Sequence, residues 1–403
     1  MSIRLTRRSL AAASALLALA GTLGASDALA QAKKDSLVLA MALEPPGLDP
    51  TAGAASAIGE VTLYNIYETL TKIQTDGSTR PLLAESWTVS PDLKTWTFNL
   101  RADARFHNGE PFDAQAVKFS FERAGAKDST NKDKATFANI ERIDTPDAHT
   151  VVLHLKDGDP DLLFELGQAT AIIVEPKSAG SNGTKPVGTG PFKLDAWSKG
   201  SSVTLARWDD WRQAKNVKLR RVVMRFISDE AAQVAALLSG DVDVFPRVAA
   251  AKSIKQFRDN KKFQVLIGGS RAKTILAMNN KRKPLDDVRV RSAIASAIDR
   301  KAVIEAAADG FGAPIGSFYV PGAPGYVDLT SINDYDPARA RALLHQAGVT
   351  LPLELTMKLP PPPYARKGGE VIAAMLDKVG IKVKIENVEW AQWLSGVYGQ
   401  KAY

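Results

Sequence analysis

"PVGTGPFKLDAW", residues 186–197, decides how this chain is read. Two glycines, a threonine and a following apolar run give it the look of a phosphate loop. A dinucleotide-binding loop needs G-x-G-x-x-G. Gly188 and Gly190 fit the first two positions, but Lys193 occupies the third. A nucleoside-triphosphate loop needs G-x-x-x-x-G-K. Gly183 and Gly188 have that spacing, yet Thr189 stands where a lysine must reach the phosphates. Pro191 also removes an amide that such a cradle would use. The stretch is expected to be a tight turn feeding a strand, Phe192–Leu194, and to bind nothing.

Strands and helices alternate on both sides of it. Upstream, Leu37–Ala40 reads as a strand that runs into Glu44–Pro50, a loop stiffened by prolines. Val61, Leu63, Ile66, Tyr67 and Leu70 recur at helical spacing and predict a helix over residues 58–70. Thr95–Leu100 alternates polar and apolar residues, as a half-buried strand does. Asn108-Gly109 marks a turn, and Asp113 caps a helix over residues 114–123. Thr150–Leu155 is a further strand. Downstream, strands are expected at Val203–Ala206, Val222–Phe226 and Asp241–Val244, with a helix capped by Ser228 and stopped by Gly240.

A second region begins near Thr274. Asp286 and Asp287 open a helix whose buried side is marked by Val290, Ile294, Ile298 and Ile304. Asp336-Pro337 opens another, which ends before Gly348. Leu353–Met357 and Ile381–Ile385 read as strands, with the proline run Pro360–Pro363 and a helix over residues 371–379 between them. The alternation argues an α/β fold.

The 403 residues carry 24% charged and 45% apolar side chains, as a globular protein of two or three domains does. Residues 1–30 read as a signal peptide: Arg4, Arg7 and Arg8, then an apolar run, then Ala28-Leu29-Ala30. Thr6–Leu10 fits a twin-arginine-like export signal as well as a general secretory one. Without this segment the formal charge falls from +8 to +6. Its basic residues are dispersed, which argues for a solvated surface and against a nucleic-acid partner. No cysteine is present, so thiolate metal sites, a cysteine nucleophile and a lipidated N-terminal cysteine are excluded.

Catalytic patterns are missing. His107, His149, His154 and His345 show no metal-ligand spacing, and there is no G-x-S-x-G elbow. The Asp286/Asp287 pair is explained by helix capping. No metal, cofactor or catalytic residue is expected. The remaining clues are aromatic: Tyr364, held at the end of the proline run, and Trp390 and Trp393, which share one face of a helix or pack in a core.

Several stretches together resemble the family 5 extracellular solute-binding proteins, the dipeptide- and oligopeptide-binding components of ABC importers. They are Glu44–Pro50, Pro81–Trp87, Phe98–Arg101, Phe106–Phe112, Val187–Phe192, Ser239–Asp243, Lys283–Arg291, and Tyr335–Pro337 with Leu343-Leu344. The resemblance spans residues 37–393 in the family's order. It implies an α/β, two-lobed periplasmic binding protein of type II, with an extra subdomain in lobe one and a C-terminally truncated second lobe. Lobe one would be residues 31–59 and 186–274, the inserted subdomain 60–185, and lobe two 275–403.

The implied function is capture of a peptide or peptide-like small solute by lobe closure and its delivery to an inner-membrane ABC permease, by a periplasmic monomer. Tyr364 matches a ligand-facing tyrosine of the dipeptide branch, and Phe137 an aromatic of the inserted subdomain. The branch's carboxylate-binding cation aligns near Pro362, and Arg366 is the nearby substitute. Similar proteins continue well beyond Tyr403, so a fragment with apolar surface exposed in lobe two is expected. The alternatives are a secreted hydrolase with a cleft active site and a truncated product without binding activity.

Overall fold

A computed structural model describes residues 35–248, 251–323 and 325–403; residues 1–30, expected from the sequence to be a signal peptide, lie outside them. Its strands are β1 (Ser36–Met41), β2 (Thr71–Ile73), β3 (Thr79–Pro81), β4 (Ala84–Val89), β5 (Thr95–Leu100), β6 (Ile140–Asp147), β7 (Thr150–Leu155), β8 (Phe192–Ser198), β9 (Ser202–Arg207), β10 (Arg221–Phe226), β11 (Leu353–Leu359) and β12 (Ile381–Asn387). One sheet has the order β1-β10-β9-β8, with β1 parallel to β10 and the other pairs antiparallel. A second, antiparallel sheet has the order β4-β5-β7-β6. β2 and β3 form a hairpin, and β11 and β12 form a parallel pair.

Alternation builds the second sheet. Trp96, Phe98 and Leu100 of β5 are buried, as are Val151, Leu153 and Leu155 of β7, and Phe98 stands opposite Val151. The helix Ala114–Gly125 lays Val117 and Phe121 on that face. Asp113 fixes its start by accepting from the Ala116 N–H at 2.9 Å. Each large apolar side chain removed from water there contributes about 1.5–3 kcal/mol. In the third unit, the helix Pro363–Asp377 connects β11 to β12 and buries Leu376 against Ile381 and the helices Val288–Ser296 and Pro337–Gln346.

The first two sheets meet at the stretch 186–197. The Gly190 N–H donates to Ile66 O and the Phe192 N–H to Asn65 O, both at 2.9 Å. A Cβ on Gly188 would lie 2.0 Å from Ile66 O, and one on Gly190 would lie 2.4 Å from Asn65 O. Glycine is required because backbone lies on backbone. His107 then locks the turn. Its Nδ1 accepts from the Gly188 N–H at 3.3 Å, so Nε2 carries the hydrogen and donates to Gly190 O at 2.9 Å. The Gly188 and Gly190 amides that a phosphate would need are already spent inside the protein. Beside this junction Arg212 makes a bidentate pair with Glu68, at 2.6 and 2.7 Å, with both side chains buried.

Several local expectations change. The helix expected over residues 58–70 ends at Thr62. Leu63 turns extended and Tyr64 takes a φ of 59°, because residues 65 and 66 supply acceptors to the turn and β8. Val61, Ile66, Tyr67 and Leu70 are buried all the same, so their spacing reported burial rather than helix. The helix starting after Asp287 stops at Ser296, and a new one, Arg300–Ala308, starts under an Asp299 cap. Asp229, not Ser228, caps the helix Glu230–Ser239. Asp241–Val244 makes one bridge, Val244 to Leu39, rather than a strand. The helix expected over 371–379 begins at Pro363, where a proline's missing N–H costs nothing. Exposed apolar side chains do occur in the third unit, among them Phe318 and Ile332.

His107 gives the junction a pH dependence. Its pKa is lowered from 6.5 to about 4: burial is the main cause, the bond to Gly190 opposes it, and the Lys193 charge adds to the lowering. The unfolded chain takes up this proton below about pH 6.5, and the folded chain refuses it until about pH 4. The residue's contribution is therefore complete above pH 6.5 and lost as the pH falls to about 4, a change of roughly 3 kcal/mol. In urea unfolding, the stability gap between the native protein and His107→Gln is expected to narrow by about that amount from pH 7 to pH 4.5. A gap that does not vary with pH would show that the imidazole is not held neutral.

Candidate functional site

Parallel strands direct their carboxyl ends, and the helix starts that follow, to one edge, and α/β proteins bind ligands there. This chain has two such edges. β1 and β10 end together, with the Ile227 N–H on Met41 O; β11 and β12 end together, with the Val388 N–H on Leu359 O, each at 2.9 Å.

At the first edge the proline loop after β1 is pinned. Glu44 accepts from Trp197 Nε1 and from the Gly200 N–H, each at 2.9 Å. Asp49 accepts from the Thr51 N–H and hydroxyl and from Arg123 Nη2, the last at 2.7 Å. After β10 comes the helix Glu230–Ser239, with Asp229 holding its first turn.

The second edge carries most of the residues singled out in the sequence. Tyr364 and Arg366 lie in the first turns of the helix Pro363–Asp377, and Tyr364 is half exposed. Trp390 starts the short helix Trp390–Gln392 that follows β12, and Trp393 starts the π-helical turn after it; both are partly buried. Arg366 Nε and Trp390 Nε1 are buried donors with no protein acceptor. A buried donor without a partner costs about 1–3 kcal/mol, so these two N–H groups are the part of the edge least satisfied by the protein itself.

Phe137 is not part of this edge. It is buried in the core of the second sheet, with its ring 5.4 Å from that of Phe121 and its backbone against Gly125. Its aromatic bulk fills that core, so Phe137 has no exposed face to offer a ligand. Sequence reading missed Glu230 and Lys367. They face each other across the two edges, Nζ to Oε1 at 2.8 Å. The available signal was a cation early in a helix, where the macrodipole disfavours it unless a carboxylate stands opposite.

A groove of about 440 Å³ lies elsewhere, walled by Ser78–Pro81 and Glu85–Trp87, and a concavity of about 260 Å³ lies between Pro50–Gly59 and Gln168–Thr170. Neither contains an unsatisfied buried donor. Among the described residues no cluster of His, Asp and Glu is placed to hold a metal ion. Among the same residues no helix is long and apolar enough to cross a membrane.

Residues 78–402 match the family model described as bacterial extracellular solute-binding proteins, family 5 middle. The chain is 28% identical to di/tripeptide-binding protein 1 of Pseudomonas aeruginosa, covering 92% of itself and 75% of that protein. It is 29% identical to the glutathione-binding protein GsiB of Salmonella paratyphi A, covering 96% of itself and 75% of the relative. Among solved structures it is similar to the binding protein AgaA of A. tumefaciens in complex with agropinic acid, with a TM-score of 0.82, 31% identity and coverage of 91% and 75%. It is also similar to DppA of Helicobacter pylori in complex with a peptide, with a TM-score of 0.80, 28% identity and coverage of 89% and 74%.

The unsatisfied indole N–H can be tested without a ligand. Trp390→Phe removes the donor and keeps most of the ring. Its unfolding free energy is expected to stay within about 1 kcal/mol of the native protein, since relief of the orphan donor offsets the lost packing. A loss above about 2 kcal/mol would show that the N–H is paired within the folded chain.

Proposed function

The chain belongs to the bacterial extracellular solute-binding proteins of family 5, and from that membership we propose that it is the periplasmic binding component of an ABC importer. It captures a peptide or peptide-like solute and presents it to an inner-membrane permease, acting as a monomer. The match over residues 78–402 carries this reading. The paired carboxyl-end edges support it.

The working parts are two lobes. Residues 31–59 and 186–274 form lobe one around the β1-β10-β9-β8 sheet, residues 60–185 form its inserted subdomain, and residues from 275 onward belong to lobe two. The solute sits between the β1/β10 edge and the β11/β12 edge. Tyr364 offers an aromatic face, Arg366 a charged donor, and Trp390 and Trp393 an indole wall. A solute that touches both edges stabilises the closed arrangement by its differential affinity for it, and the permease needs only to recognise closure.

The named ligands of the relatives share acid chemistry. Di/tripeptides, glutathione and agropinic acid all carry carboxyl groups. A carboxylate suits the two orphan donors, since charge-assisted bonds from N–H groups are the strong ones.

A thermal-shift screen of short peptides, opines, glutathione and sugars tests the reading. A true ligand at a hundred times its Kd is expected to stabilise the fold by about 2.7 kcal/mol and to be recovered unchanged. If no candidate raises the melting temperature and one of them is consumed, the chain is an enzyme and this reading is wrong.

A further inference from the structure

Among the described residues, two ion pairs join residues before 275 to residues after it. Lys367 Nζ lies 2.8 Å from Glu230 Oε1, and Lys252 Nζ lies 3.5 Å from Asp309 Oδ1. Their polarity is reciprocal, since each side supplies one acid and one base. Glu230 and Lys252 belong to one packed body: Phe257 of the helix Ile254–Arg258 is buried with Ala236 and Leu237 of the helix Glu230–Ser239. On the other side Asp309 ends the helix Arg300–Ala308, and Lys367 lies in the second turn of the helix Pro363–Asp377. A Cβ on Gly368 would lie 3.6 Å from Ala307 Cβ, so these two helices touch within two residues of each charge.

Asp309 and Lys367 are both misplaced for their own helices. An anion at a helix end and a cation near a helix start oppose the macrodipole. Asp309 also holds a left-handed backbone, φ 49° and ψ 38°, which glycine takes more readily. Glu305 Oε2 lies 3.1 Å from the place of a Gly310 Cβ, so a second carboxylate crowds the same helix end. Among the described residues the cation at ion-pair distance from Asp309 is Lys252. What each helix disfavours locally is balanced from the other side.

We propose, building on the two-lobe reading, that Glu230–Lys367 and Lys252–Asp309 form a two-point electrostatic latch that positions the two edges before a solute arrives. The four residues act on each other rather than on the solute. When the lobes part, each charge is hydrated alone; when they close, each is paired. Reciprocal polarity fixes orientation as well as closure. A lobe that slid out of place would bring Glu230 toward Asp309 or Lys252 toward Lys367, and like charges repel. Solvent reaches both pairs, so each favours the closed arrangement by only about two- to fivefold. The lobes are thus held near closure and still open for a solute to enter. Apparent affinity scales with the fraction of competent molecules. The latch therefore raises the affinity for every solute by one factor and leaves the ratios between solutes unchanged.

The test uses the full chain. It has no cysteine, so the exposed positions Lys215→Cys and Gln346→Cys carry one spin label on each lobe. Interlobe distances are measured by double electron–electron resonance without solute, in about 20 mM and about 0.5 M sodium chloride. High salt is expected to deplete the shorter-distance population of the native protein several-fold. Lys252→Glu and Asp309→Lys should each deplete it by at least about twofold already in low salt, and the double reversal should restore it. Asp309→Gly should deplete it too, with a melting temperature that stays level or rises, because glycine accepts the left-handed turn. Calorimetry with glycyl-phenylalanine and glutathione should show each single variant weakening both solutes by the same factor. Distances that change neither with salt nor with charge reversal overturn the proposal. So does a double reversal that restores nothing, an Asp309→Gly protein that melts earlier with unchanged distances, or a variant that weakens one solute alone. If no solute of the wider screen binds the native protein, the solute-binding reading fails, and the distances still decide the latch.

Discussion

The first two sheets of this molecule are arranged around one close contact of backbone on backbone. Gly188 and Gly190 lie on the carbonyls of Ile66 and Asn65 with no room for a Cβ. Hydrogen bonds from Gly190 and Phe192 run into the same segment. The contact ends the helix Ser56–Thr62, starts β8 and brings His107 from the second sheet onto the first. The buried Glu68–Arg212 pair lies beside it, and breaking such a pair by removing one partner is strongly destabilising because a buried charge is left uncompensated. The loop that resembled a phosphate cradle is thus a structural joint.

The joint matters for function because it fixes β8, and through β9 and β10 it sets where β1 ends. β1 and β10 are the parallel pair of that sheet, so their carboxyl ends and the Asp229-capped helix open on one edge. An independent parallel pair, β11 and β12, supplies the other. Parallel pairing needs a crossover, here the helix Pro363–Asp377, and its start carries Tyr364, Arg366 and Lys367 to the strand ends. The arrangement offers donors, aromatic faces and one ion pair between the edges. In the proposed reading the donors and aromatic faces recognise the solute.

Much of this was legible in the sequence. The alternation in Thr95–Leu100 and the Asp113 and Asp336 caps each rest on local geometry, and each matches the structure. Where tertiary hydrogen bonds override local preference, the sequence misleads. The apolar spacing of Val61 to Leu70 is satisfied by a turn, and the buried face of Val290 to Ile304 is divided by a second aspartate cap. Site reading had the same limit. Tyr364 and Arg366 stand out in the sequence by the resemblance, and Trp390 and Trp393 by their spacing; all four lie near the strand ends of one crossover unit. Phe137 could not be judged, since an aromatic that fills a core and one that faces a ligand have the same one-dimensional surroundings. Glu230 and Lys367 are 137 residues apart and meet only in three dimensions.

The central claim is that the carboxyl ends of two parallel strand pairs face one shared guest. A crystal structure of the chain with a peptide or opine that it binds addresses this directly. The expected result is a guest in contact with Tyr364, Arg366 or Trp390 on one side and with the β1/β10 edge on the other. A guest lodged in the Ser78–Trp87 groove, or held by one edge with the other turned away, would contradict the account.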